Sequence, residues 1–240
     1  MAISNLQSEI NQIILTTNQL KNISEAIINH TRYSRLPNDY AELQYIQSTG
    51  TQYLNSNYIH TANTKINCRI NVTQDSVHSY QFIFGARSGS YRYNAIQFAT
   101  RWGGANSFCY CRTGNERTGG TPYYNQDIEV ETYQKLCTWT TLDNKSSSIT
   151  TTGTANAGIC PLGILCVNQS NSSGGWSPEN NTYAGKVKLY YLNISETNEL
   201  VREYVPAKRL TDNVIGLYEI HTNTFITNAG SGVFVAGPEI

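Results

Sequence analysis

The sequence predicts a mainly β protein: an antiparallel sandwich preceded by an N-terminal α-helical coiled coil. Three observations carry this. Tyrosine (17) and glycine (18) are abundant beside Thr, Asn and Ser, with a single Met, which is the usage of strands, turns and polar sheet faces. From Leu43 onward, short strand-like runs alternate with turn residues. The first thirty residues follow a different period altogether.

In that N-terminal stretch Ile3, Leu6, Ile10, Ile13, Thr17, Leu20, Ser24 and Ile27 recur at three-four spacing, the pattern of a coiled-coil seam. Ile at the first seam position with Leu or Ile at the second, flanked by Ile14, Ile23 and Ile28, favours three helices over two. Residues 1–30 are therefore expected to form a trimerising helix held through Ile3, Leu6, Ile10, Ile13, Leu20 and Ile27. Pro37 ends the region, and 31–40 reads as a linker.

Residues 41–240 are expected to form one sandwich, with strands at 41–48, 52–55, 64–73, 80–86, 95–101, 107–112, 127–132, 135–142, 147–152, 164–168, 185–194, 200–205, 214–219 and 224–227. The breaks fall at glycines and at Asp143-Asn144. Evenly spaced strands without helical patterns between them, and without a repeat of 20 to 50 residues, favour a sandwich over a propeller or solenoid.

Seventeen Lys and Arg balance seventeen Asp and Glu, and only 14% of residues are charged. Without a basic excess, neither nucleic acid nor an anionic membrane is an expected partner. Glu9 and Lys21 interrupt any apolar N-terminal run, so no secretory leader or membrane span is expected. The six cysteines read as mainly reduced small hydrophobes. None of the four histidines pairs with them at a zinc-like spacing, so no metal and no cofactor is expected.

The stretch Leu43-Gln44-Tyr45-Ile46-Gln47-Ser48-Thr49-Gly50-Thr51-Gln52-Tyr53-Leu54 resembles the opening strand of laminin-G-like, concanavalin A-like domains found in phage and gut-bacterial surface proteins. Toward the other end, Gly185 to Leu192, Leu200 to Arg209, Val214 to Tyr218 and the closing Phe225, Asn228 and Gly230 resemble that family's last strands. The likeness spans roughly Ala41 to Glu239 and implies a jelly-roll sandwich. Val187, Leu189 and Tyr191 are expected to alternate onto one face of their strand. The N-terminal helix with its polar linker also resembles the attachment segments of phage fibre proteins.

Two groups of residues invite a chemical reading. Asp127, Glu129 and Glu131 alternate along one strand and share a face, as the carboxylates of glycoside hydrolases on this jelly roll do. No tryptophan brackets them, and the expectation is a solvated strand face. Trp102, Tyr124 and Trp176 sit among Gly and Asn in loops, where an aromatic ring can stack on a pyranose while amides bond its hydroxyls. They are the candidate glycan-binding residues, the alternative being that these rings cover sandwich edges or trimer contacts.

The sequence is thus read as a structural virion protein, located in the virion: a homotrimeric phage fibre or appendage and not an enzyme. Its N-terminal helix would contact other virion proteins, and its sandwich is a possible adhesin for host-surface glycans. The alternative is a glycan-acting hydrolase or free lectin module on the same fold.

Overall fold

A computed structural model of the chain describes residues 12–14, 16–17, 19–20, 35–73, 80–88, 93–101, 108–113, 116–121, 123–178 and 186–240. The chain divides into two compact units, Met1–Pro37 and Asn38–Ile240.

In the first unit the predicted coiled coil is corrected. Among the described residues helix is confined to 12–14, 16–17 and 19–20, and within the chain Ile13 and Leu20 are 65% and 61% exposed. Thr16 Oγ1 and Thr17 Oγ1 bond the carbonyls of Gln12 and Ile13 at 2.9 and 2.8 Å, so the hydroxyl assigned to the seam at Thr17 turns back on its own helix. Three-four spacing specifies an apolar stripe, not what covers it. Ile3, Leu6, Ile10 and Ile27 lie outside the described residues.

The second unit is built of strands β1 (Tyr40–Glu42), β2 (Ile46–Gln47), β3 (Leu54–Asn55), β4 (Thr64–Val72), β5 (Tyr80–Ser88), β6 (Tyr93–Arg101), β7 (Phe108–Thr113), β8 (Glu116–Gly120), β9 (Asp127–Tyr133), β10 (Leu136–Thr141), β11 (Ser146–Thr150), β12 (Gly163–Ile164), β13 (Asn168–Ser170), β14 (Val187–Glu196), β15 (Glu199–Arg209), β16 (Ile215–Glu219), β17 (Thr224–Thr227) and β18 (Val235–Ala236). An 11-stranded sheet runs β11-β10-β9-β4-β14-β15-β16-β17, with β1 on β15 and β2 between β14 and β18. A 7-stranded sheet runs β3-β12-β5-β6-β7-β8, with β13 pairing β5 in parallel.

Strict alternation makes these strands. In β4, Thr64, Ile66, Cys68, Ile70 and Val72 are buried while Lys65, Asn67, Arg69 and Asn71 are not; β9 repeats the pattern with Ile128, Val130 and Thr132 inward. The inner faces of both sheets share one core. Phe84 and Phe98 of the smaller sheet stack at 6.2 Å, and Trp139 of the larger sheet meets Phe98 at 5.6 Å, each ring burial stabilising the fold by roughly 1.5–3 kcal/mol or more. Trp139 also donates its indole N–H to the Thr121 carbonyl at 2.8 Å, so its one polar atom is satisfied inside the core. Thr197 and Asn198 take φ of 50° and 71°, the paired left-handed residues of a tight hairpin turn between β14 and β15.

Several strand boundaries differ from the sequence reading. The single strand expected over 41–48 is two, β1 and β2, separated at Leu43 to Tyr45. The strand expected at 164–168 is β12 followed by β13. Strands β8 and β18 were not expected. Gly119 and Gly120 read as a break, yet both belong to β8, because a Cβ on Gly120 would come within 2.8 Å of the Trp139 ring. Cys68, Cys137, Cys160 and Cys166 are buried thiols.

Candidate functional site

On the face of the larger sheet turned away from the core, β14, β4 and β9 run side by side and their pairing lays outward residues in rows. Lys188, Asn71 and Asp127 form one row; Tyr191, Arg69 and Glu129 the next; Asn193, Asn67 and Glu131 the third. Strand spacing of about 4.8 Å brings each row within side-chain reach. In β14 the alternation breaks: the register shifts between Leu189 and Tyr191, and both Tyr190 and Tyr191 are half-buried while Leu189 and Leu192 are buried. The expectation that Tyr191 shares a face with Val187 and Leu189 is corrected by this bulge, since one extra residue re-aims the side chains that follow it.

Asp127 is the most heavily bonded acid of the face. Its Oδ2 accepts from Arg69 Nη2 at 2.7 Å, and its Oδ1 from Asn71 Nδ2 and Tyr190 Oη, both at 2.9 Å. Burial pushes its carboxyl up, but the bonds from Asn71, Arg69 and Tyr190 together hold it below the usual aspartate value. Asp127 is therefore a fixed anion. Burial, then the bond to Asp127, pushes the Tyr190 hydroxyl up to about 12. The Arg69 guanidinium lies 4.7 Å from the Tyr190 ring centre, and Tyr45 meets that ring edge-on at 5.6 Å.

Glu129 is held differently. Tyr191 Oη donates to Glu129 Oε2 and lies 2.9 Å from Asn67 Oδ1. Burial first, and the adjoining Glu129 next, raise the Tyr191 hydroxyl well above its ordinary value, so it stays a proton-bearing donor. Glu131 pairs with Lys65 at 2.7 Å near the rim, where both side chains are about a third exposed and the pair adds little stability. Two buried polar atoms of this face, Arg69 Nε and Asn193 Oδ1, have no hydrogen-bond partner. One is a donor and the other an acceptor.

The strand read from sequence as a solvated acidic face is thus engaged with residues that the sequence reading did not select: Arg69, Asn67, Asn71, Tyr190 and Tyr191. Of the expected glycan-binding residues, Tyr124 packs against the core beside Tyr123, Trp176 is half-buried with its ring 6.3 Å from Tyr53, and Trp102 lies outside the described residues. Tyr124 and Trp176 are not brought together with the carboxylates into one hydrogen-bonded group. Among the described residues no group of acidic, His and Cys side chains is arranged to hold a metal, and no helix is long and apolar enough to cross a membrane.

No protein-family model matches the chain, and no curated protein matches it. Among solved structures, it is similar to the enzymatically active domain of tailspike protein 2 of bacteriophage CBA120, at 12% identity over 65% of this chain with a TM-score of 0.41. It is also similar to scytalido-glutamic peptidase bound to a transition-state analogue inhibitor, at 14% identity and TM-score 0.37, and to SCP-B, a member of the eqolisin family of peptidases, in complex with the tripeptide Ala-Ile-His, at 15% and 0.34. The two peptidase matches cover 83% of this chain and 100% of theirs, whereas the chain spans 25% of the tailspike chain. Likenesses of this size assign no activity, substrate or partner here. The expectation that the chain is not an enzyme is corrected on the structure itself: the acidic strand is not a solvated face but holds Asp127 and Glu129 in a half-buried hydrogen-bonded group.

Proposed function

We propose that the sandwich is a glycan-acting module of a virion-associated appendage, with the β14–β4–β9 face as its working surface. The observation that carries this is the Tyr191–Arg69–Glu129 row lying against the Asp127 anion: two carboxylates in different bonding environments, on one half-buried sheet face, two positions apart on the same strand. Alternate strand positions lie about 7 Å apart and project to the same face, as a pair of carboxylates flanking one glycosidic bond requires. Environment separates their roles. Asp127, with three donors, is suited to remain ionised and to face positive charge developing at an anomeric carbon. Glu129, which accepts one bond from the Tyr191 hydroxyl, is the second carboxyl of the pair: a proton passed from the pair to the leaving oxygen is returned by the water that adds to the anomeric carbon.

The likeness of Leu43 to Leu54 to the opening of phage and bacterial surface domains supports an appendage as the carrier. The test is a panel of soluble polysaccharides incubated with wild type, Glu129→Gln and Asp127→Asn. Release of new reducing ends by wild type, lost in both variants while they remain folded, is the expected result. Wild-type binding without cleavage leaves the lectin form of the reading, and neither binding nor cleavage overturns it.

A further inference from the structure

On the other sheet, elements around β3, β12 and β13 hold a second pair of rings. Trp176 is half-buried and tilted at 41° to Tyr53, 6.3 Å away. The loop carrying Trp176 is fixed from beneath by Asn168, which is fully buried: its Nδ2 donates to the carbonyls of Pro161 and Gly175 at 2.8 and 3.0 Å, and its Oδ1 accepts from Ser177 N at 2.8 Å. One amide thus anchors the residues on both sides of the indole. Gln169 N bonds the Ser177 carbonyl at 2.8 Å, and a Cβ on Gly175 would meet Ser170 Oγ and Ser172 Oγ at 2.2 Å, so a larger residue there would have to displace both hydroxyls.

Tyr53 is clamped in the same manner by the C-terminal segment. Its N–H donates to Asn228 Oδ1 at 3.1 Å, its carbonyl accepts from Ala229 N at 2.8 Å, and Gly230 lies under its ring, where a Cβ would approach to 2.8 Å. Two aromatic rings are therefore pre-positioned by buried or bonded backbone, which lowers the ordering cost of binding. The segments that carry them, Thr49 to Tyr53, Asn168 to Pro178 and Asn228 to Gly232, contain no Asp, Glu, Lys, Arg or His. Asn171 to Gly174 and Ser231 are exposed at this surface.

We infer that Tyr53 and Trp176 form a stacking platform for a neutral sugar ring, separate from the β14–β4–β9 face. Rings meet the C–H face of a pyranose, and the surrounding amides and hydroxyls meet its hydroxyl groups. The guanidinium of Arg87, bonded to these segments, is buried and turned to Gln169 Oε1, so they present no exposed cation to a phosphate, an acidic peptide or a uronate, each of which needs one. The inference takes its class of ligand from the glycan reading but rests on different residues, and such a site would tether a polymer while the carboxylate face acts on it.

The experiment is affinity electrophoresis and titration calorimetry of the full chain against neutral polysaccharides (dextran, β-glucan, mannan and xylan) and against polygalacturonate. Trp176→Ala should weaken neutral-glycan binding about ten-fold or more, and Trp176→Phe, which keeps a ring and guards against misfolding as the cause, should retain most of it. Unchanged binding by Trp176→Ala, or binding of wild type to polygalacturonate alone, overturns the platform. If Trp176→Ala binds like wild type while Glu129→Gln loses cleavage, the platform fails and the carboxylate reading stands. If Trp176→Ala loses binding while Glu129→Gln cleaves like wild type, the platform stands and the carboxylate reading fails.

Discussion

Tyr191 of β14 reaches over β4 to donate its hydroxyl to Glu129 of β9. The bond spans two strand spacings and ties the bulge in β14 to the acidic strand, so the orientation of Glu129 depends on a residue 62 positions away. Replacing Tyr191 by Phe removes that donor and little else. Stability should fall by only about 1 kcal/mol, whereas turnover should drop ten-fold or more if the bond orients an acid–base carboxylate. Chemical denaturation and steady-state kinetics on one preparation separate the two effects.

Acid should destabilise the sandwich through its bonded carboxylates. Burial opposes ionisation of Asp127, Glu196 and Glu219, yet their hydrogen bonds hold all three below their ordinary values. A depressed folded-state value means that the unfolded chain takes up protons first as pH falls. The stabilisation is complete above the unfolded carboxylate range, about pH 4, and is lost as pH falls through the folded values. Melting temperature should be flat from pH 8 to 6 and decline below about 5, with a shallower decline in Asp127→Asn.

Glu219 is nearly inaccessible and accepts from the backbone N–H groups of Glu203, His221 and Thr222 at 2.9, 3.1 and 2.7 Å. It closes the turn between β16 and β17. Glu219→Gln should cost about 1–3 kcal/mol in urea unfolding, and Glu219→Ala more, because three backbone donors then lose their acceptor.

Trp139 joins the two sheets, and Trp139→Ala should cost about 3–5 kcal/mol by the cavity it leaves. Equilibrium unfolding followed by far-ultraviolet circular dichroism measures it. By contrast, Ile13→Asp and Leu20→Asp alter side chains more than half exposed, and each should stay within about 0.5 kcal/mol of wild type.

The sandwich was legible because its signal is local. The alternation in Thr64 to Val72 and Asp127 to Tyr133 can be read without knowing what either strand pairs with. The site was not, because its partners are remote: Arg69 and Asp127 lie 58 residues apart, and sequence alone does not say that β4 falls between β9 and β14. The bulge at Tyr190 hid the site further, since period-two reading sends Tyr191 into the core. The coiled coil was overread for the opposite reason. A local three-four stripe through Ile13 and Leu20 carries no information about a second helix. Gly120 misled as well, because a glycine required by the Trp139 ring looks the same in sequence as one required by a turn.

The most direct test of the account is the release of reducing ends from a panel of neutral polysaccharides by wild type and Glu129→Gln, with binding measured in parallel. The account predicts cleavage of at least one polymer by wild type, reduced a hundred-fold or more in Glu129→Gln with binding retained. A wild type that neither cleaves nor binds any of them, or a Glu129→Gln variant that cleaves as well as wild type, contradicts it.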